Sequence, residues 1–526
     1  MKSGEIARSV SRGAFYLAIE KVAALLSGIA YFALLLRWLG PTKYGIMTLA
    51  FSFAGLATVA TGNFEMYLER FAAEYTSRGS FGTLRRAQLY ALGFKLALGL
   101  VASALLWAIA PMIARQYQAP DLATLLPVLT VLVAFDGFAT TGRATLYGMQ
   151  RFRAVCAISV AFHILKTVMV GALWFARLGL PAFAVGLALL TLAQGLVSTA
   201  VPLWALRGGR DAEPEPEVGT PRGLIRSIVG YCAPLLGARV TFLSGQNLGK
   251  VVLGKLFDAT QLGYFSFAFQ TMERFVDLVH TLPSSLLPSL THLVARAERE
   301  RLRYVFDQAF RLIQVLACML SFGVFVFARE ITLLVGSPLF EPAVPVLRVM
   351  ALVPIVRTAQ QPVTLLFQAL RRPGTVLGLA LLKFATEFAG YFTLVPWFGT
   401  IGAGWANLAG AVVAFVGSMI ALSRLLPEGA GERARASTVA IAFTLALILA
   451  GIALDRPPIF GWSFAIRLLL IPLGVLGLFA FELITRYDLE KLSSLPIRAG
   501  WMRRPRDGFV AAADRLARAV APRRAA

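Results

Sequence analysis

The chain has 526 residues, is 57% hydrophobic and only 15% charged, with a mean hydropathy of +0.70. That is too apolar for soluble domains, and many apolar runs reach about 20 residues, the length that crosses a bilayer as a helix. A net charge of +23 would suggest nucleic acid in a soluble protein. Here the Lys and Arg lie between apolar runs and in the C-terminal tail, where they set topology, so a polytopic all-α membrane protein with no nucleic-acid partner is expected.

From the N-terminus, the first apolar run is too long for a signal peptide and no small-residue cleavage site follows, so it is expected to remain as the first helix. Runs bounded by charge, Gly or Pro place spans near 14–36, 44–64, 88–110, 122–142, 154–176, 181–205, 226–250, 262–288, 305–328, 343–367, 374–396, 400–423, 437–454 and 463–484, about fourteen in all. After the second span, Glu65, Glu69, Arg70, Glu74, Arg78, Arg85 and Arg86 mark an amphipathic segment expected to lie along the membrane surface. Cys156, Cys232 and Cys318 fall inside apolar runs, which suits packing rather than a disulfide framework or a zinc site. The acidic, Pro-containing stretch 207–222 reads as a linker. The Arg-rich tail from 485 belongs near anionic headgroups.

Two stretches recur. The basic Gly/Pro loop from Arg37 to Ala50 returns from Lys255 to Ala268, with the cation, Thr42 as Thr260, Gly45 as Gly263 and the closing Ala in register, about 218 residues on. A second echo matches Leu146-Tyr147-Gly148-Met149-Gln150-Arg151 with Leu366-Phe367-Gln368-Ala369-Leu370-Arg371 at nearly the same offset. Six spans separate each residue from its echo, so the copies enter the membrane in the same direction, as parallel repeats. The domains expected are an N-terminal lobe over 1–206, a cytoplasmic linker over 207–222, a C-terminal lobe over 223–425, two additional helices over 437–484 and a basic cytoplasmic tail over 485–526. Lys and Arg number about 33 on connections that share a side with both termini and about 8 on the other, which places both termini in the cytoplasm.

Leu34-Leu35-Leu36-Arg37-Trp38-Leu39-Gly40-Pro41-Thr42-Lys43-Tyr44-Gly45, the loop Tyr147-Gly148-Met149-Gln150-Arg151-Phe152 and the pattern of twelve helices plus two resemble the polysaccharide transport (Wzx-like) family over roughly 1–485. That family belongs to the multidrug/oligosaccharidyl-lipid/polysaccharide (MOP) flippase superfamily. The resemblance implies a V-shaped, two-lobed transporter that moves polyprenyl-pyrophosphate-linked oligosaccharides across the bacterial inner membrane. The chain is similar too to the lipid II flippases, in which two extra helices form a groove for the lipid tail. The expected partners are the lipid-linked oligosaccharide, membrane lipids, and the glycan polymerase and glycosyltransferases of the same pathway.

Ionisable residues at membrane depth are costly in lipid, so each should face the bundle interior or a wet cavity. Lys21 follows Glu20 in the first span, and the 218-residue offset maps it onto Arg239. At the offset of the second echo His163 maps onto Lys383. With Arg274 and Arg357 these form a candidate set for the pyrophosphate, which takes charge-assisted hydrogen bonds from Lys and Arg. The competing readings are local neutralisation, Lys21 with Glu20, Arg274 with Asp277 and Lys383 with Glu387, or snorkelling to the interface. Gln270, Glu273, Asp277, His280 and Ser284 line one helical face, a candidate seat for a coupling Na+ or H+ through Glu273, Asp277 and His280, or a polar helix interface. No other cofactor is expected. Trp107, Trp174, Trp204, Trp397, Trp405 and Trp462 sit at span ends, where Trp anchors to the interface. Gly402, Gly404 and Gly410 with Ala403, Ala406 and Ala409 make a face for close helix packing.

No phosphate-cradling Gly-x-x-x-x-Gly-Lys-Ser/Thr loop is present. A membrane glycan polymerase or ligase would need carboxylates on a sizeable external loop, and the longest, near 329–342, is short and nearly free of them. An exporter of drugs or cations would want an acidic cavity, whereas the intramembrane charges here are mostly basic. A flippase is therefore expected rather than an enzyme.

Overall fold

The computed structural model describes residues 3–207, 220–280, 286–296, 298–370, 372–455, 461–480 and 483; at further positions within these, Arg239 and His280 among them, only the backbone is described. Most of the linker and the basic tail lie outside the described residues. Among the described residues every regular element is helical. In chain order these are α1 (Ser3–Val59), α2 (Glu65–Ser77), α3 (Phe81–Gln116), α4 (Asp121–Gly148), α5 (Phe152–Phe175), α6 (Leu180–Ala205), α7 (Pro221–Leu256), α8 (Ala259–His280), α9 (Leu286–Ala295), α10 (Arg299–Val326), α11 (Ala328–Ile331), α12 (Val344–Met350), α13 (Val353–Ala369), α14 (Pro373–Leu425), α15 (Ala430–Ala453) and α16 (Trp462–Ala480).

Two helices are double-length. At 57 residues α1 would run about 85 Å if straight, against a hydrocarbon core of about 30 Å. It breaks at Gly40, whose φ of 67° is open to glycine and strained for other residues, and Pro41 opens the second half. The 53-residue α14 breaks in the same way at Gly399, φ 56°. Both breaks fall where the sequence puts a short connection between two spans. Among the described residues eight helices, these two included, are long and apolar enough to cross a membrane, and Pro338–Met350, which ends in α12, makes a ninth with α13 when the pair, bent by 44°, is taken as one span. Pro354 in the first turn of α13 accounts for the bend, since it cannot donate the hydrogen bond a continuous helix needs. The spans expected at 226–250, 262–288 and 463–484 fall on α7, on α8 with α9, and on α16. The first two carry many polar and charged groups, and the apolar stretch of α16, Trp462–Leu478, is short.

The chain divides into unit 1, Met1–Ser266 with Val335–Leu339, and unit 2, Phe267–Leu334 with Phe340–Ala526. In unit 1, α3 lies along α4, α4 along α6, and α1 against α5 and α7. The amphipathic segment after the second span is α2, but its apolar side does not lie open to lipid. Tyr67, Leu68, Ala72 and Tyr75 are buried in a core with Leu84, Ala87 and Ala91 of α3, Ala144 of α4, and Leu224, Ile228 and Cys232 of α7. The Tyr67 and Tyr75 hydroxyls, 2.7 Å apart, share a hydrogen bond there. This bond and burial hold the Tyr75 phenol above its ordinary range, burial being the larger cause.

Also in unit 1, the repeated motif meets its own copy. The hydroxyls of Thr42 and Thr260 lie 2.8 Å apart. A side chain at Gly45 would run into the carbonyl of Ala259, and one at Gly263 into that of Pro41. Thr42 and Thr260 are 218 residues apart, and the same offset carries Pro41 to Ala259 and Gly45 to Gly263, so the two glycine contacts are counterparts of one another.

In unit 2, α10 packs on α13, α9 and α15, and α14 packs on α12 and α13. The two additional helices are seated on α10 by Phe322, Val326, Leu447, Ile448 and Leu470. Arg467 of α16 is 1% exposed and donates to Glu330 Oε1 at 2.5 Å and to the Val326 carbonyl at 3.0 Å. Asp455 stands 3.3 Å from Arg467 and also pairs with Arg348 of α12 at 2.5 Å. Ala403 and Ala406 are fully buried and Gly410 lies against Glu387 and Lys383, so the small-residue face of α14 serves close packing. Cys156, Cys232 and Cys318 are buried free thiols, and the six Trp at span ends are exposed.

Candidate functional site

Charged groups inside apolar helices are the chemistry the fold has to position, and most of them are matched across helices rather than along them. In unit 1, Lys95 of α3 is fully buried. Its ammonium donates to Glu65 of α2 at 2.9 Å and to the Thr140 hydroxyl at 2.9 Å, and forms an ion pair with Asp136 of α4 at 2.7 Å. Two carboxylates about one cation make this a net-negative knot. Nearby in the same unit Glu20, 4% exposed, accepts from Arg143 at 2.6 Å and from the Tyr147 hydroxyl at 3.4 Å. Arg143 also lies over the Tyr147 ring.

Unit 2 has its own cluster. Arg357 of α13 grips Glu273 of α8 in bidentate fashion, with Nη2 to Oε2 at 3.0 Å and Nη1 on Oε1. Lys383 pairs with Glu387 at 2.9 Å, one turn on in α14. Glu387 and Asp277 both lie close enough to act on the Arg357 charge, so the four ionic side chains and Asp277 form one group.

Of the residues singled out from sequence, the structure therefore brings Arg357, Glu273, Asp277 and Lys383 together. Arg357 takes Glu273 as its partner, and Lys383 takes Glu387, the neighbour the sequence offers. Lys21 is exposed on α1, and Glu20 beside it turns to Arg143 instead. Arg274 is exposed on α8. Neither Lys21 nor Arg274 has an ion-pair or hydrogen-bond partner among the described residues. His163 is half-buried, edge-on to Phe162 with ring centroids 5.9 Å apart. The side chains of Arg239 and His280 lie outside the described residues. Among the described residues no three of His, Cys, Asp and Glu converge to hold a metal ion.

Three groups escape a reading of the sequence as spans: Arg143, Glu65 as a partner of Lys95, and the Arg467–Glu330 pair. For Arg143 a signal exists, because it stands one turn before Tyr147 of the second repeated loop and so shares its helical face. Glu65 and Glu330 carry no such signal, since their partners are distant in the chain.

The fold has relatives. A comparison with curated proteins finds no match. The lipid II flippase MurJ in an inward closed conformation superposes with a TM-score of 0.65 at 13% identity, over 89% of this chain and 99% of its own. An inward-facing multidrug resistance MATE family transporter of the MOP superfamily gives 0.64 at 15%, over 79% and 99%. A MOP superfamily transporter from Pyrococcus furiosus gives 0.50 at 14%, over 79% and 96%. At these identities the likeness is one of fold, that of the MOP superfamily. The family model described as polysaccharide biosynthesis protein matches residues 34–345, more than half of the chain, and this protein belongs to that family.

Proposed function

We propose that the protein is a flippase that carries a polyprenyl-pyrophosphate-linked oligosaccharide, such as a unit of O-antigen, capsule or exopolysaccharide, across the bacterial inner membrane by alternating access, with both termini in the cytoplasm. The observation that carries this reading is the polysaccharide biosynthesis family match on a chain with the fold of a lipid flippase. Lipid-linked oligosaccharide and membrane lipids are its partners, and the glycan polymerase and glycosyltransferases of the pathway act on either side of it.

The anionic head needs cations that are not already spent on carboxylates, because a charge-assisted hydrogen bond to pyrophosphate must displace whatever the cation holds before it. Lys21 and Arg274 meet that condition among the described residues. Arg239 joins Lys21 as its repeat partner, and the Thr42–Thr260 contact at an offset of 218 supports that alignment. Arg357 and Lys383 are a second tier, since each would have to release Glu273 or Glu387 first, and His163 is a lining group. Coupling to Na+ or H+ through Glu273, Asp277 and His280 would likewise require Arg357 to let go of Glu273, both of whose oxygens it engages.

The test is glycan display and sidedness of the lipid-linked intermediate in a deletion strain carrying Lys21→Ala, Arg274→Ala or both. Each single change should lower display about tenfold at normal protein level, the equivalent of one lost charge-assisted hydrogen bond. The intermediate should then accumulate on the cytoplasmic face. An intermediate that crosses normally yet is not polymerised or attached would move the assignment to a glycan-transferring enzyme.

A further inference from the structure

The contact between the two copies of the repeated motif has an unusual construction. Pro41, Thr42 and Gly45 lie at the start of the second half of α1, just after the break at Gly40, and Ala259, Thr260 and Gly263 lie in the opening turns of α8. Two helix beginnings therefore meet, related by a local two-fold axis. The same patch faces itself, which is the geometry of an isologous interface built within one chain. The backbones touch directly, since Gly45 and Gly263 are buried and have no side chain to interpose. On the axis sits a single hydrogen bond between two hydroxyls, and it is solvent-exposed.

Such a contact is shaped to be exclusive but not strong. Its close backbone fit admits one register only, and it closes with an exposed hydrogen bond that water can replace. The positive ends of two helix dipoles also stand side by side, which opposes the contact mildly. Asp258 offsets this at α8 by accepting from the Gln261 amide at 2.6 Å. The helix so held belongs to unit 1 only as far as Ser266; from Phe267 on it belongs to unit 2.

We propose that the duplicated Thr-x-x-Gly motif is a latch, a self-complementary contact that holds the start of α8 on α1 in one state of the transport cycle and must part in the other. This rests on the alternating-access reading above, but the latch can be read without knowing the substrate. In full-length protein in membranes, mild oxidation should cross-link Thr42→Cys/Thr260→Cys. Adding Gly45→Ala or Gly263→Ala should lower the rate of cross-linking about tenfold at unchanged protein level, because the methyl group has no room in the closed contact and the equilibrium shifts to the open one. An unchanged rate at normal abundance overturns the latch. Should the alanine variants fail to accumulate, the cysteine pair alone decides. Its cross-link should abolish glycan display and reduction should restore it; a pair that does not cross-link, or a cross-linked protein that exports at the wild-type rate in a strain whose display requires it, overturns the proposal. If the alanine changes act as expected while the lipid-linked glycan crosses normally in a strain without this protein, the latch stands and the substrate assignment falls.

Discussion

The two repeats join their third and fourth helices at the same place with different chemistry. In unit 1 the link is Lys95 to Asp136, and in unit 2 it is Gln314 to the Ile355 carbonyl at 2.8 Å. Each joins residues 41 apart, and Lys95 to Gln314 and Asp136 to Ile355 are both steps of 219, between the offsets of the two repeated motifs. One copy thus crosses these helices with an ion pair and the other with a neutral amide. The charge is not what the crossing requires. What the ammonium does in addition is reach Glu65, and Glu65 belongs to α2. The ionic version therefore staples a third element, the amphipathic helix that seats on α3, α4 and α7.

The largest effect expected is for Lys95→Met. It removes the cation that pairs with both Glu65 and Asp136 and leaves two largely buried carboxylates without it, a loss of about 3–5 kcal/mol. Adding Glu65→Gln and Asp136→Asn should recover most of it, because the penalty comes from the orphaned charges and not from the missing bond. Thermal unfolding in detergent measures both. A Lys95→Met protein as stable as wild type would mean that the two links are equivalent and the comparison empty. Gln314→Leu is the matching change in unit 2 and should cost less, about 1 kcal/mol, since no charge is exposed and the Ile355 carbonyl sits within α13, where helical bonding remains available to it. The ratio of the two losses measures what the charge adds.

Much of this architecture is legible in the sequence, and the reasons differ by feature. Spans follow from hydropathy, because lipid demands about 20 apolar residues whatever the neighbours are. The breaks at Gly40 and Gly399 follow from Gly beside or near Pro between two such runs. The repeat shows because its Thr and Gly touch their own copies, which fixes their identity at both positions. Pairing is another matter. Glu65 and Lys95 are 30 residues apart, Glu273 and Arg357 84, Glu330 and Arg467 137, and nothing local marks one carboxylate as the partner. Nearest neighbours in the chain suggested Glu20 with Lys21 and Arg274 with Asp277, but adjacent helical residues point about 100° apart, so Glu20 finds a partner on α4 instead. The role of α2 was hidden for a related reason. An apolar stripe on a short helix looks the same whether it will meet lipid or protein.

The smallest effects belong to Glu20 and Arg143, and they sharpen the comparison from the other side. This pair is also ionic and also peculiar to the first repeat, since the offsets of 218 and 220 put Ala238 and Val363 at the equivalent positions. Unlike Lys95, however, Arg143 is 48% exposed and can turn to solvent when its partner is lost. Glu20→Gln should therefore cost no more than about 0.5 kcal/mol. Arg143→Ala should cost more than Glu20→Gln, because Glu20 is buried and keeps only the long bond from Tyr147. Replacing both as the second repeat does, with Glu20→Ala and Arg143→Val, should come close to wild-type stability by the same unfolding measurement. If the double change instead costs as much as Lys95→Met, exposure is not what separates the two ion pairs, and the first repeat depends on charge as such.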